Sequence, residues 1–259
     1  MIGHLVVLRP RSLLETGDLA LVMGQRYVRY FVRLLPWVIL PAIGCWALHA
    51  LLGVPPYAAL ALQFALTSVT GGVYTILCGD LMLAPTTSLR DVQKRFLQSL
   101  SRFVWARLVG LVVVVCTVLL AFRFVAFLPE ASLLERGTAR AALSRSGVLL
   151  RPTPGRALAL GVILVALFVL GAGGMELTRF SFLVLFGLPH KALPDIEAHL
   201  TWAPFLGAAL VQPYLAALRF LLYIDCRTRR EGWDLQVQFG ALVTASESAL
   251  RHTHTEEAA

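Results

Sequence analysis

WARLVGLVVVVCTVLLAFRFVAFL, residues 105–128, carries only two charged side chains, Arg107 and Arg123, among valines, leucines and phenylalanines. A stretch this long and this apolar does not fit inside the core of an ordinary soluble domain. Crossing the hydrocarbon of a bilayer takes roughly 20 mostly apolar residues. Further blocks at about 31–52, 57–83, 155–175 and 202–224 approach that length. The chain reads as all-α: a polytopic transmembrane helical bundle, with Phe180–Leu188 apolar but too short to span.

Composition points the same way. Hydrophobic residues make up 58% and charged residues 15%, with a mean hydropathy of +0.73, whereas soluble domains run near a quarter charged. These blocks and their connections fill residues 1–239 as one membrane domain, and 240–259 form a polar tail ending in His252-Thr253-His254. In a soluble protein the net charge of +8 would suggest nucleic acid. Beside membrane spans, basic residues instead set orientation and meet anionic headgroups. Lipids and membrane proteins are therefore the expected partners, and nucleic acid is not. The apolar patch at Met1–Leu8 is too short for a signal-peptide core, so insertion is expected to rely on the first span.

Three stretches share a start: Ser12-Leu13-Leu14-Glu15, Ser88-Leu89-Arg90-Asp91 and Ser132-Leu133-Leu134-Glu135. Each reads as a capping box or its Asp variant, with the serine oxygen accepting an early helix N–H and the acid reaching back. They predict interfacial helices at about 12–29, 88–104 and 132–150. In the second, Leu89, Val92, Phe96, Leu100, Phe103 and Val104 form a helical stripe, with Arg90, Lys94, Arg95 and Arg102 opposite. That pattern suits a helix lying in the interface or one packed on the bundle. Recurrence of the motif suggests a threefold repeat of interfacial helix and membrane hairpin.

Basic residues give the topology. They cluster before the first block (Arg9, Arg11, Arg26, Arg29, Arg33), between the second and third (Arg90 to Arg107), and between the third and fourth (Arg136 to Arg156). Another cluster follows the last block (Arg227, Arg229, Arg230), whereas the Gly53–Pro56 turn carries no charge. The positive-inside rule places both termini and every arginine-rich segment in the cytoplasm. Residues 105–128 are then flanked by basic clusters at both ends, which one straight span would separate. A hairpin is the favoured reading, although nothing between Gly110 and Pro129 is Gly or Pro. Five or six membrane helices follow, depending on that choice.

Chemistry-bearing groups are few. Gln63, Thr67, Ser68 and Thr70 beside Gly71-Gly72, and the Ala157/Gly161 step, read first as helix-packing devices. Ionisable residues at membrane depth are functional candidates by default. Asp80, Arg123, Glu130, Arg219 and Asp225 form a candidate polar network in which Asp225 and Arg229 are spaced for an ion pair. Arg123 is expected to pair with Asp80 or Glu130, unless it snorkels to headgroups. No metalloprotease, nucleophile-elbow, P-loop or dinucleotide motif is present. Cys45, Cys78, Cys116 and Cys226 show no metal-ligand spacing. No catalytic residue, cofactor or metal is expected.

The ending Leu222-Tyr223-Ile224-Asp225-Cys226-Arg227-Thr228-Arg229-Arg230-Glu231-Gly232-Trp233-Asp234-Leu235 resembles that of bacterial membrane proteins grouped with the glycerophosphoryl diester phosphodiesterase membrane domain. Arg9-Pro10-Arg11-Ser12, and Pro129-Glu130-Ala131 through Ala141-Ala142-Leu143-Ser144-Arg145-Ser146, are similar to two further segments of that group. The resemblance implies a bacterial inner-membrane protein, commonly of six helices. It implies no phosphodiesterase activity, because the hydrolase is a separate soluble domain. This chain departs from the group around its third and fourth helices, where relatives carry a Pro-Gly turn. Together these features predict a non-enzymatic scaffold or accessory subunit of a membrane assembly; the alternative is a transport or lipid-handling subunit.

Overall fold

The computed structural model describes residues 12–83, 87–116, 127–134, 138–150, 154–187 and 201–231. Among these every regular element is an α-helix: α1 (Leu13–Arg26), α2 (Val28–Arg33), α3 (Pro36–Leu52), α4 (Pro56–Thr70), α5 (Gly72–Leu83), α6 (Leu89–Cys116), α7 (Leu128–Leu134), α8 (Ala139–Leu150), α9 (Pro154–Leu185) and α10 (Trp202–Glu231). Three runs, Pro56–Met82, Ala159–Leu185 and Trp202–Arg229, are long and apolar enough to cross a membrane, and Pro36–Leu52 is a shorter apolar helix. The chain is a helical membrane protein.

Local chemistry explains the boundaries. Ser12 Oγ accepts from the Glu15 N–H and the Ser12 N–H donates to Glu15 Oε2, both at 3.2 Å, so the first capping box forms as expected. Pro36 opens α3, and the helix closes on Gly53 at φ 64°, a left-handed turn that favours glycine. His49 Nδ1 lies 2.7 Å from the Val54 carbonyl oxygen, which ties this turn down, and Pro56 starts the return. The second start also stands where expected, with the Ser88 carbonyl accepting from Asp91 and Val92 at 3.1 Å.

The third start does not. Ser132 lies inside α7 and donates to the Pro129 carbonyl at 3.0 Å, so it caps nothing. The following helix begins instead behind Thr138, whose Oγ1 accepts from the Ala141 N–H at 3.3 Å. Two expected breaks are also missing. α6 runs unbroken from Leu89 to Cys116 through the expected change at residue 105. α9 absorbs both the 155–175 block and Phe180–Leu185. Glu176 and Arg179 sit at that second expected junction and answer each other one turn apart, so their charges do not end the helix.

α10 is the central element. Of its spanning segment 67% is buried, against 17% for that of α9, and it packs on α1, α3, α4, α5, α8 and α9. Gln63 on α4 donates to the Phe205 carbonyl at 2.6 Å. Further along, a β-carbon on Gly71 would lie 3.8 Å from Gln212 and one on Gly79 3.9 Å from Phe220, so α4–α5 and α10 run in the same direction. Val92, Phe96 and Phe103, the stripe of α6, are buried in the main core with Tyr74, Leu77 and Phe220. The stripe is therefore spent on protein packing.

Leu128 and Ala131 of α7 pack on Ala106 of α6, with Ala142 of α8 in the same cluster. The chain thus leaves Ala106, runs out to Cys116, and is back at the level of Ala106 by Leu128. Residues 117–126, on which the expected hairpin turn and Arg123 fall, lie outside the described residues, as do Gly232, Trp233, Asp234 and the 240–259 tail.

Candidate functional site

The candidate network resolves into ion pairs. Asp80, on the last turn of α5, accepts from Arg95 Nη1 at 2.9 Å and from Arg95 Nη2, and Thr87 Oγ1 donates to Asp80 Oδ2 at 3.1 Å. Arg95 is its partner among the described residues, and the expected partner Arg123 lies outside them. Glu130, 1% exposed, pairs with Arg219 across α7 and α10, with Nε–Oε1 and Nη2–Oε2 both at 3.1 Å. Asp225 pairs with Arg229 at 2.9 Å, the i,i+4 geometry read from the sequence. Tyr223 and Asp225 are buried; Arg230 and Glu231 continue α10.

Around Asp80 opens a cavity of about 460 Å³, within the roughly 300–1,000 Å³ of small-molecule sites. Its polar lining is Asp80, Arg95, Gln98, Ser99, Arg102 and Arg227, and its apolar lining includes Met82, Leu133, Leu134, Phe220 and Ile224. Among the described residues the lining thus carries three guanidinium groups and one carboxylate. Gly79 makes room: a β-carbon there would come within 3.2 Å of Leu134 Cδ2. A second groove, lined by Arg29, Arg33 and Arg90, lies beside the start of α6. Among the described residues, Arg29, Arg33, Arg90, Arg95, Arg102 and Arg227 therefore gather at one end, with the uncharged Gly53–Pro56 turn at the other.

Deeper in the bundle is a smaller cavity of about 30 Å³, where Ser68, Thr75, Arg107, Glu130, Gln212 and Arg219 line an otherwise apolar wall that includes Phe64, Leu164 and Leu215. Arg107 Nη2 donates to the Ser68 carbonyl at 3.0 Å, and its guanidinium lies over Phe103, 5.7 Å from the ring centroid. Arg219 precedes Arg227 by roughly two turns, so this cavity is about 12 Å deeper along α10 than the first.

The packing glycines divide in role. A β-carbon on Gly72 would stand 2.9 Å from Phe103, 3.0 Å from Leu133 and 3.1 Å from Phe96, so Gly72 seats the α6 and α7 side chains against α5. The neighbouring hydroxyls stay on their own helix: Thr67 donates to the Gln63 carbonyl at 2.7 Å and Thr70 to that of Leu66 at 3.2 Å. Of this group, Gln63 sends its side chain to another helix, as expected. The closest approach of α9 and α10 is at Gly171 and Gly207, about three turns beyond Gly161.

Four site residues were missed from sequence. Arg95 and Arg102 read as part of a basic cluster, since the residues that line the cavity with them come from remote parts of the chain. Arg107 carried a signal, being an ionisable residue inside an apolar block, and so did Gln212 in the last span. Cys45 and Cys78 are free and buried and Cys226 is buried, as expected of cysteines acting as small apolar residues. Among the described residues no group of three His, Cys, Asp or Glu is placed to hold a metal ion. Compared with family models, curated proteins and solved structures, the chain matches none.

Proposed function

We propose that this protein is a non-enzymatic lipid-handling subunit of a bacterial cytoplasmic membrane, with both termini on the cytoplasmic side. It holds the anionic head of an amphiphile in the cavity beside Asp80. The observation that carries this reading is the cavity's mixed lining, in which Arg95, Arg102 and Arg227 stand beside Leu133, Leu134, Phe220 and Ile224. A phosphate between the arginines would make charge-assisted bonds, and an acyl chain would lie along the apolar residues. Asp80 holds Arg95 in place and limits the positive excess. A scaffold, the other reading of the sequence, needs no cavity; a headgroup site does. Likeness to the phosphodiesterase membrane-domain group belongs to the same proposal, supported by its C-terminal motif supplying Arg227 to this wall.

Purified protein in nanodiscs of mixed phosphatidylglycerol and phosphatidylcholine tests the reading by native mass spectrometry of the lipid retained. Wild type is expected to retain phosphatidylglycerol selectively. An Arg102→Gln/Arg227→Gln variant is expected to lose that selectivity by about tenfold or more, the equivalent of one charge-assisted bond, with helicity unchanged. Equal retention of both lipids by wild type, or full selectivity in the variant, overturns the proposal.

A further inference from the structure

The deep cavity is short of acceptors. Gln212 is 5% exposed and lines it, and the Nε2 of Gln212 has no hydrogen-bond partner. The Nε–H of Arg107, a second lining residue, is also buried and without a partner. Both orphans are donors, and a buried donor without an acceptor bears the full cost of its desolvation.

Charge leans the same way. The lining residues include two guanidinium groups, Arg107 and Arg219, and one carboxylate, Glu130, which is engaged with Arg219. A net positive charge in a bundle surrounded by hydrocarbon is expensive unless it is matched. A volume of about 30 Å³ exceeds the roughly 10–15 Å³ that a single water requires. It remains far below the 460 Å³ of the cavity beside Asp80.

We infer that this cavity is a binding site for a small monovalent anion of chloride size, accepting from Gln212 Nε2 and Arg107 Nε. The ion supplies the missing acceptor and the missing negative charge together. Water would satisfy the donors and leave the charge unmatched. The site joins α4 and α5 through Ser68 and Thr75, α6 through Arg107, α7 through Glu130 and α10 through Gln212 and Arg219. Occupancy therefore stabilises the whole bundle, because an ion that binds only the folded state raises its stability by mass action.

Thermal unfolding of the full chain in detergent, in sodium chloride against sodium gluconate at fixed ionic strength, reads this out. Chloride and bromide are each expected to raise Tm saturably by roughly 5 °C, with gluconate inert. Gln212→Leu is expected to abolish the response. Gln212→Glu places a carboxylate where the ion would sit, and is expected to keep the chloride-saturated Tm in gluconate with no further rise in chloride. Arg102→Gln/Arg227→Gln, in the other cavity, is expected to keep the full response. The inference is overturned if wild type melts alike in chloride and gluconate, which means that water fills the cavity. It is equally overturned if Gln212→Leu retains the response, or if the response vanishes with Arg102 and Arg227.

Discussion

Replacing Glu130 with alanine is expected to destabilise the fold by about 3–5 kcal/mol, the cost of removing one partner from a buried ion pair. Glu130 is 1% exposed and holds Arg219 by two contacts, and Arg107 lines the same cavity. Without the carboxylate, two guanidinium groups share a site walled by helices and lipid. The loss is read as the shift in reversible unfolding by denaturant in mixed micelles. A Glu130→Met/Arg219→Met double variant is expected to recover most of it, since an apolar pair of similar volume removes both charges at once. A Glu130→Ala variant within about 1 kcal/mol of wild type, well under the cost of a stranded charge, would show that the pair contributes little to folding.

The second large effect is at a glycine. Gly207→Ala is expected to cost about 3 kcal/mol or more, at or beyond the upper end of ordinary overpacking. The added β-carbon would overlap the Gly171 carbonyl oxygen and lie 2.6 Å from Met175 Cβ. Both obstacles belong to or sit directly on backbone, so α9 and α10 must separate where small residues allow close approach. Gly173 and Gly174, on the same stretch of α9, provide the contrast. A β-carbon at either meets nothing within 4 Å, so Gly→Ala there is expected to be neutral or to gain up to about 1 kcal/mol of helix propensity. The same unfolding assay separates these outcomes. Equal effects at Gly207 and Gly173 would mean that the crossing is not close packed.

What was legible in the sequence follows from the range of each interaction. Contacts within one turn read directly: the Ser12–Glu15 box, the Asp225–Arg229 pair and the Gly53 turn all form as their spacing dictates. Composition read less well, because a change of hydropathy is not a break in hydrogen bonding. Leu89–Cys116 continues as one helix through residue 105, and α9 continues through Glu176 and Arg179, since neither junction holds a proline. Ser132 shows the converse, a capping motif overridden because α7 already enclosed it.

The site itself was half visible. Asp80, Glu130 and Arg219 stood out as charges at membrane depth, but their partners are set by folding. Arg95 reaches Asp80 across the 84–88 connection, and Glu130 meets Arg219 from a distant part of the chain. Gln212 and Arg107 gain meaning only once the bundle places them on one cavity. The Val92, Phe96 and Phe103 stripe marked a buried face correctly, while periodicity alone could not say whether lipid or protein would cover it.

The central position of α10 also bears on how the molecule comes to be built. Gln63 and Glu130 are synthesised long before Phe205 and Arg219, their counterparts on α10. Until that helix leaves the translocon, an amide and a carboxylate wait at membrane depth without their final mates. Biogenesis is therefore expected to be a late, concerted event, with the earlier helices held near the insertion machinery until the strut they surround arrives.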